Sequence, residues 1–184
     1  MAALVAAALV QGADRAPWLV AILVDRYRRP GLVLAAAALA LAANYALASV
    51  AGLMVAPLLS PNAGLLLLAL SLLLAVSGMV VRAKPPDRLA GWKLGAFATS
   101  LLGMFILAFG DATQFIAAAL AARSPVPWLA AVGATLGTLA VMVPATVLGE
   151  AGWRALPLRA IRWASAGVLS VAGVVLGLAA ARLV

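Results

Sequence analysis

Six apolar runs follow one another along the chain: Ala2 to Val24, Leu32 to Leu58, Gly64 to Val81, Leu94 to Ala122, Trp128 to Leu148 and Ile161 to Ala181. Each has about the roughly 20 residues a helix needs to cross a bilayer. The breaks carry turn and charge signals: Arg26-Tyr27-Arg28-Arg29-Pro30, Ser60-Pro61-Asn62, Arg82 through Arg88 with Pro85-Pro86, Arg123-Ser124-Pro125, and Glu150 through Arg162 with Pro157 inside it. Proline after a run cannot continue a helix, and in lipid only helices or closed barrels satisfy their backbone groups. Runs this continuous lack the alternation of barrel strands. The pattern therefore predicts an all-α membrane protein with six transmembrane helices.

Composition agrees with the class. Hydrophobic residues make up 67% of the 184 and charged residues 10%, with a mean hydropathy of +1.17, outside the range of an ordinary soluble domain. The net charge of +8 would suggest nucleic acid in a soluble chain. Here the basic residues lie between the apolar runs, so no nucleic acid is expected and the charge reads as topology. The loops after spans one, three and five hold Arg26, Arg28, Arg29, Arg82, Lys84, Arg88, Lys93, Arg154, Arg159 and Arg162, against Arg123 and Arg182 on the other side. That bias predicts both termini away from the cytoplasm. Met1 to Val10 has no basic region and no clean cleavage site follows, so no signal peptide is expected. Trp92, Trp128, Trp153 and Trp163 fall near segment ends and read as interfacial anchors.

The candidate chemistry is narrow. With no cysteine and no histidine, disulfides, thiolate or imidazole ligation and His-based triads are excluded. Serines such as Ser49, Ser77 and Ser100 have no base at membrane depth, and no enzymatic activity is expected. Two carboxylates, Asp14 and Asp111, stand inside apolar runs. A charge there costs roughly 2.5 to 3.5 kcal/mol on insertion scales, and such residues mark ion pathways. Gln11, Thr113, Gln114 and Asn44 could add neutral oxygens, or hydrogen-bond between helices. Arg15 is a permanent charge beside Asp14. The plainer reading of Asp14 is a pair with Arg15, although neighbours on a helix do not face each other. Gly133, Gly137, Gly103, Gly173 and Gly177 read as close-packing positions. Asp25 reads as a balance to its arginine neighbours, and Glu150 as a loop residue.

Laying each residue against the one 97 positions on pairs Asp14 with Asp111, Arg26 with Arg123, Pro30 with Pro127 and Gly52 with Gly149. Three spans per half is an odd number, so the second half enters the membrane upside down. The expected organisation is two inverted three-helix repeats, 1–83 and 94–184, joined by a cytoplasmic linker 84–93. Secondary transporters of this kind build their site near the midplane where the halves meet.

These residues resemble the small cation/proton antiporters of the Gdt type, which include bacterial manganese exporters and Golgi manganese/calcium transporters. That family carries two copies of E-x-G-D-[KR]-[TS], one in the first span of each half. This chain has Gln11-Gly12-Ala13-Asp14-Arg15-Ala16 and Ala108-Phe109-Gly110-Asp111-Ala112-Thr113-Gln114 in those places. The likeness continues in Arg26-Tyr27-Arg28-Arg29-Pro30, in Ala119 to Arg123 and in Pro144 to Glu150. It implies a multi-pass protein, expected in a bacterial inner membrane, that exchanges Mn²⁺ or Ca²⁺ for protons without a cofactor. Asp111 and Asp14 are then its candidate metal-contacting residues, Gln11, Thr113 and Gln114 their neighbours, and Arg15 and Asn44 possible modulators. Gln11 and Ala108 replace both motif glutamates, and Ala112 the second basic residue. Hard divalent ions prefer several anionic oxygens, so the degenerate site implies weaker binding. The alternative is a non-transporting paralogue that acts as a structural or regulatory partner in the bilayer. A homo-oligomer or a paralogue partner fits either reading.

Overall fold

In a computed structural model, which describes residues 1–12, 14–80 and 85–182, the protein is all-helical. The elements are α1 (Ala2–Gln11), α2 (Arg15–Tyr27), α3 (Pro30–Val55), a 3-10 turn (Ala56–Leu58), α4 (Pro61–Val80), α5 (Gly95–Ala108), α6 (Ala112–Ala122), α7 (Trp128–Ala155) and α8 (Leu158–Ala180). At 1.5 Å per residue, α3 is about 39 Å long and α4 about 30 Å, enough to span a hydrocarbon core of about 30 Å. The same holds for α7 and α8.

The first and fourth apolar runs differ from the uninterrupted helices that hydropathy alone predicts. Each is a pair of half-length helices, bent by 66° between α1 and α2 and by 69° between α5 and α6. The bend in the second pair has a local cause: Gly110 lies in the left-handed region at φ 76, and Asp111 is extended. Glycine adopts that geometry without penalty, and aspartate is a favoured residue for starting the next helix. In the first pair Asp14 is again extended, at φ −92 and ψ 176, and begins α2. The intervening Ala13 lies outside the described residues.

The order of elements recurs at the spacing of 97. The first residues of α2 and α4 fall on those of α6 and α8, and that of α3 falls one short of α7. Each broken span packs on the long helix of the other half: α1 and α2 on α7, α5 and α6 on α3. The helices α3 and α7 pack on each other, as do α4 and α8. Such reciprocal packing is what a pseudo-two-fold axis between the halves produces. The proposed repeat boundary at Ala83 and Lys84 lies outside the described residues, as do Ala13, Arg82 and the last two residues of the chain.

Small residues make these contacts possible. A Cβ on Gly52 would collide with the Ala118 carbonyl oxygen of α6, and one on Gly137 with the Leu4 carbonyl oxygen of α1. Backbones that approach this closely are the usual result of glycine at helix crossings in lipid. Gly133 faces Ala3 in the same interface, Gly173 faces Leu73, and Gly103 receives the Leu89 side chain.

The arginine-rich end of the bundle is tied together by contacts distant in sequence. Arg26 donates to the carbonyl oxygens of Leu89 (2.6 Å) and Trp92 (3.0 Å) and so holds the linker against α2. Asp25 accepts from the Glu150 backbone N–H at 2.7 Å, rather than balancing neighbouring arginines. Its role is to restart α7 after Gly149, which breaks the helix at φ 64. Glu150 pairs with Arg88. Trp153 is buried at 3% exposure against Ala21 and Ala145, so it is a core residue and not an anchor, whereas Trp128 and Trp163 are exposed.

A Cβ at Gly149 would lie 2.7 Å from the Asp25 carboxylate, and the positive-φ extended backbone there, at φ 64 and ψ −175, is itself unfavourable for alanine by about 1–3 kcal/mol. Gly149→Ala should therefore lower the unfolding temperature of the detergent-solubilised protein by several degrees. A variant as stable as the native chain would contradict this account of the break.

Candidate cation site

Each broken span brings the last carbonyls of one half-helix and the first N–H groups of another into the bundle interior. These are the groups an α-helix leaves without intrahelical partners. The N-terminal end of α6 is satisfied first by Asp111, whose Oδ1 accepts from the Gln114 backbone N–H at 2.7 Å. The positive end of the helix dipole supports the carboxylate there.

The second oxygen of that carboxylate faces across to α1. Gln11, the last residue of α1, donates from Nε2 to Asp111 Oδ2 at 2.9 Å and to Thr113 Oγ1 at 3.0 Å. Gln11 is fully buried and Thr113 nearly so. The Gln11 side-chain oxygen, Oε1, has no hydrogen-bond partner among the described residues. A buried acceptor left empty is unfavourable by roughly 1–3 kcal/mol, and this one is held next to a carboxylate.

Gln114 and Asn44 do different work. Gln114 accepts the Gly110 N–H on Oε1 and donates from Nε2 to the Asn44 carbonyl oxygen at 3.1 Å. Asn44 in turn donates to the Phe105 carbonyl oxygen, in the last turn of α5, at 3.0 Å. The two side chains thus satisfy hinge groups on both sides of the break and fasten them to α3. The side-chain oxygens of Asp111, Thr113 and Gln11 come together at the other end of this network.

Asp14 stands outside the hydrogen-bonded cluster, partly buried at the start of α2. It lies within Coulombic reach of Asp111, and the positive charges that act on it belong to Arg15 and Arg162. Arg15 itself is exposed. Among the described residues no three acidic side chains come together, so a bound cation would meet at most two carboxylates, with neutral oxygens completing its shell.

Two further buried polar residues have no counterpart among those singled out from sequence. The Tyr45 hydroxyl on α3 and the Thr138 hydroxyl on α7 are 3.0 Å apart, and both side chains have no exposed surface. A tyrosine in mid-span, away from the interfaces where tyrosines concentrate, is the signal that could have drawn attention to the pair.

Fold and site together define a polytopic helical membrane protein with a partly buried carboxylate at each of two helix breaks. The family described as "Divalent cation/proton antiporter GDT1" matches residues 96–183. A protein of Vibrio cholerae serotype O1 (strain ATCC 39541 / Classical Ogawa 395 / O395), named "Putative manganese exporter", is 34% identical over 167 residues, covering 88% of this chain and 81% of that one. The chain belongs to the GDT1 family. No solved structure matches it.

Proposed function

We propose that this protein exchanges a divalent cation, Mn²⁺ or Ca²⁺, for protons across a bacterial inner membrane, with Asp111 as the carboxylate on which the two compete. The observation that carries this reading is the Gln11–Asp111–Thr113 cluster: a helix-capping carboxylate whose second oxygen accepts from a buried amide, beside a side-chain oxygen, Gln11 Oε1, that has no partner among the described residues. In the absence of a cation, Gln11 Nε2 holds the Oδ2 side of the carboxylate. A cation arriving there displaces the N–H group, and a turn of the amide presents Oε1 in its place. Asp111, Gln11 and Thr113 then supply an oxygen set of the kind that hard cations take. Asp14 contributes the second negative charge, moderated by Arg15 and Arg162.

The two halves would rock about the contact between α3 and α7, opening the breaks to alternate sides. The arginine-rich end faces the cytoplasm in this scheme, following the positive-inside bias, and both termini face away from it. The second reading, a non-transporting partner of an intact antiporter, draws on the arginines around Asp14 and on the glutamates replaced by Gln11 and Ala108.

Gln11→Glu separates the two. A third carboxylate in the cluster should tighten apparent Mn²⁺ affinity roughly tenfold, since ligand charge tunes such sites. The measurement is Mn²⁺-dependent thermal stabilisation of the purified variant beside the native protein. If neither is stabilised by Mn²⁺ or Ca²⁺, the non-transporting reading takes over.

A further inference from the structure

At the arginine-rich end of the bundle the Arg26 guanidinium is fully engaged by carbonyl oxygens: Leu89 at 2.6 Å, Trp92 at 3.0 Å, Ala90 at 3.4 Å and Arg88 at 3.5 Å. Its pseudo-equivalent at the spacing of 97 is Arg123, at the end of α6. There the likeness stops. Arg123 is exposed, and among the described residues its guanidinium takes part in no hydrogen bond or ion pair; those bonds engage Arg26, Arg88 and Arg154 instead. It stands at the arginine-poor end, where the charge bias of the chain gives no reason to keep a cation.

The side chain is nevertheless placed. Its stem lies over Gly64 near the start of α4, where an added Cβ would meet Arg123 Cγ at 3.1 Å, Cδ at 3.2 Å and Nε at 3.5 Å. The guanidinium is thereby delivered to a cavity of about 320 Å³, lined also by Ser60, Pro61, Leu65 and Ala122. The Ser60 hydroxyl accepts from the Ala63 N–H at 3.2 Å, which leaves its own O–H to donate. Among the described residues no carboxylate lines the cavity.

A cation at a helix C-terminus complements the dipole, and an arginine near a helix end can snorkel to the interface with no particular partner. The surroundings ask for more than that. The same two helices line an apolar groove of about 230 Å³, which α1 and α8 complete. Gly64, Leu68 and Leu72 recur every four residues on α4, and Arg123, Leu120 and Ile116 stand three and four apart on α6. Cavity and groove therefore follow one another along the same helix faces. Every residue lining the groove is apolar, Leu9, Leu169, Ala172 and Leu176 among them. A cationic cavity at the helix ends that gives way to a purely apolar groove has the polarity profile of a phospholipid.

We infer that the α4–α6 seam binds one anionic phospholipid, its phosphate on the Arg123 guanidinium and the Ser60 hydroxyl and an acyl chain in the groove between α1, α4, α6 and α8. The planar fork of a guanidinium suits phosphate oxygens. With no carboxylate in the cavity, a headgroup amine would find no counter-charge, which selects a headgroup of net negative charge. The chain would touch both α1 and α6, the half-helices that bring Gln11 to Asp111. Bound lipid would thus hold the two sides of the cluster together, whatever ion the cluster takes.

The test uses purified full-length protein in detergent, titrated with phosphatidylglycerol in mixed micelles, with phosphatidylcholine and inorganic phosphate as the comparison probes. The readout is the unfolding temperature, which rises with occupancy of a site present only in the folded chain. Native protein should be stabilised saturably by phosphatidylglycerol and much less by the other two. Arg123→Gln should keep a lipid-free unfolding temperature within a few degrees of native, since the residue is exposed. Its half-saturating phosphatidylglycerol concentration should rise about tenfold, the worth of a charge-assisted hydrogen bond, and Arg123→Lys should recover part of the loss. Ala172→Phe, which fills the groove and leaves the arginine in place, should weaken the lipid effect in the same way. If native protein and Arg123→Gln respond alike, lipid acts on the bundle surface at large and the inference is overturned. Stabilisation by inorganic phosphate equal to that by phosphatidylglycerol, or an Ala172→Phe variant that responds as native does, would remove the acyl chain and overturn it as well.

Discussion

Asp111→Asn should reduce cation flux in proteoliposomes to the level of protein-free vesicles while leaving the protein folded. The substitution isolates charge from structure. Asparagine is as good an N-cap as aspartate, so the bond from the Gln114 N–H to the side-chain oxygen is retained and α6 still begins in the same place. What disappears is the charge together with the oxygen that Gln11 covers: an NH2 group takes its place, and the Gln11 amide must turn to accept from it on Oε1. A divalent ion would then meet only the Asp14 carboxylate, which already has Arg15 and Arg162 acting on it. The unfolding temperature should move little, by the few tenths of a kcal/mol that separate good caps, roughly a degree or two. Flux that survives in this variant would remove Asp111 from the mechanism. A collapse in stability would mean that the carboxylate is structural first.

Gly137→Val should have the largest effect on folding. The Cβ position at Gly137 falls on the Leu4 backbone, with its carbonyl carbon and Cα at 2.9 and 3.0 Å. Backbone cannot rotate away as a side-chain tip can. The α1–α7 interface must separate, and forced overpacking of this kind is unfavourable by about 1–3 kcal/mol or more. Since α1 delivers Gln11 to Asp111, binding should fall with stability. The matched control is Gly31→Ala, where nothing lies within 4 Å of the added carbon. Thermal unfolding monitored by size-exclusion chromatography should show Gly31→Ala near native and Gly137→Val strongly destabilised or unrecoverable. Equal behaviour of the two would mean that the close crossing does not carry stability.

The helix content and the polar cluster were legible in the residues because both are signalled locally. Long apolar runs with proline and arginine at their ends announce spans, and Gln11, Asp111, Thr113, Gln114 and Asn44 stood out as polar residues in apolar surroundings. These five meet in one hydrogen-bonded network. The helix breaks were less visible, since one Gly-Asp step barely lowers the hydropathy of a long window. Only the backbone shows Asp111 as a cap rather than as a side chain in mid-helix.

Contacts that join remote residues carried no signal. Tyr45 and Thr138 are 93 positions apart and Asp25 and Glu150 are 125 apart, so no periodicity links them. The burial of Trp153 follows from the break at Gly149, which turns the last part of α7 back into the protein. Its place near the end of an apolar run pointed to the interface instead. Asp14 is intermediate: its place inside an apolar run was readable, but the Arg162 charge that reaches it comes from a helix far along the chain.

The central claim is that one buried carboxylate site exchanges a divalent cation for protons. The most direct measurement places native protein in liposomes with a pH-sensitive dye inside, imposes a Mn²⁺ gradient, and follows proton movement and Mn²⁺ uptake together. The account predicts that Mn²⁺ entry drives proton exit and that an imposed pH gradient alone drives Mn²⁺ accumulation. Mn²⁺ uptake with no accompanying proton movement, or no uptake of Mn²⁺ or Ca²⁺ at all, would contradict it.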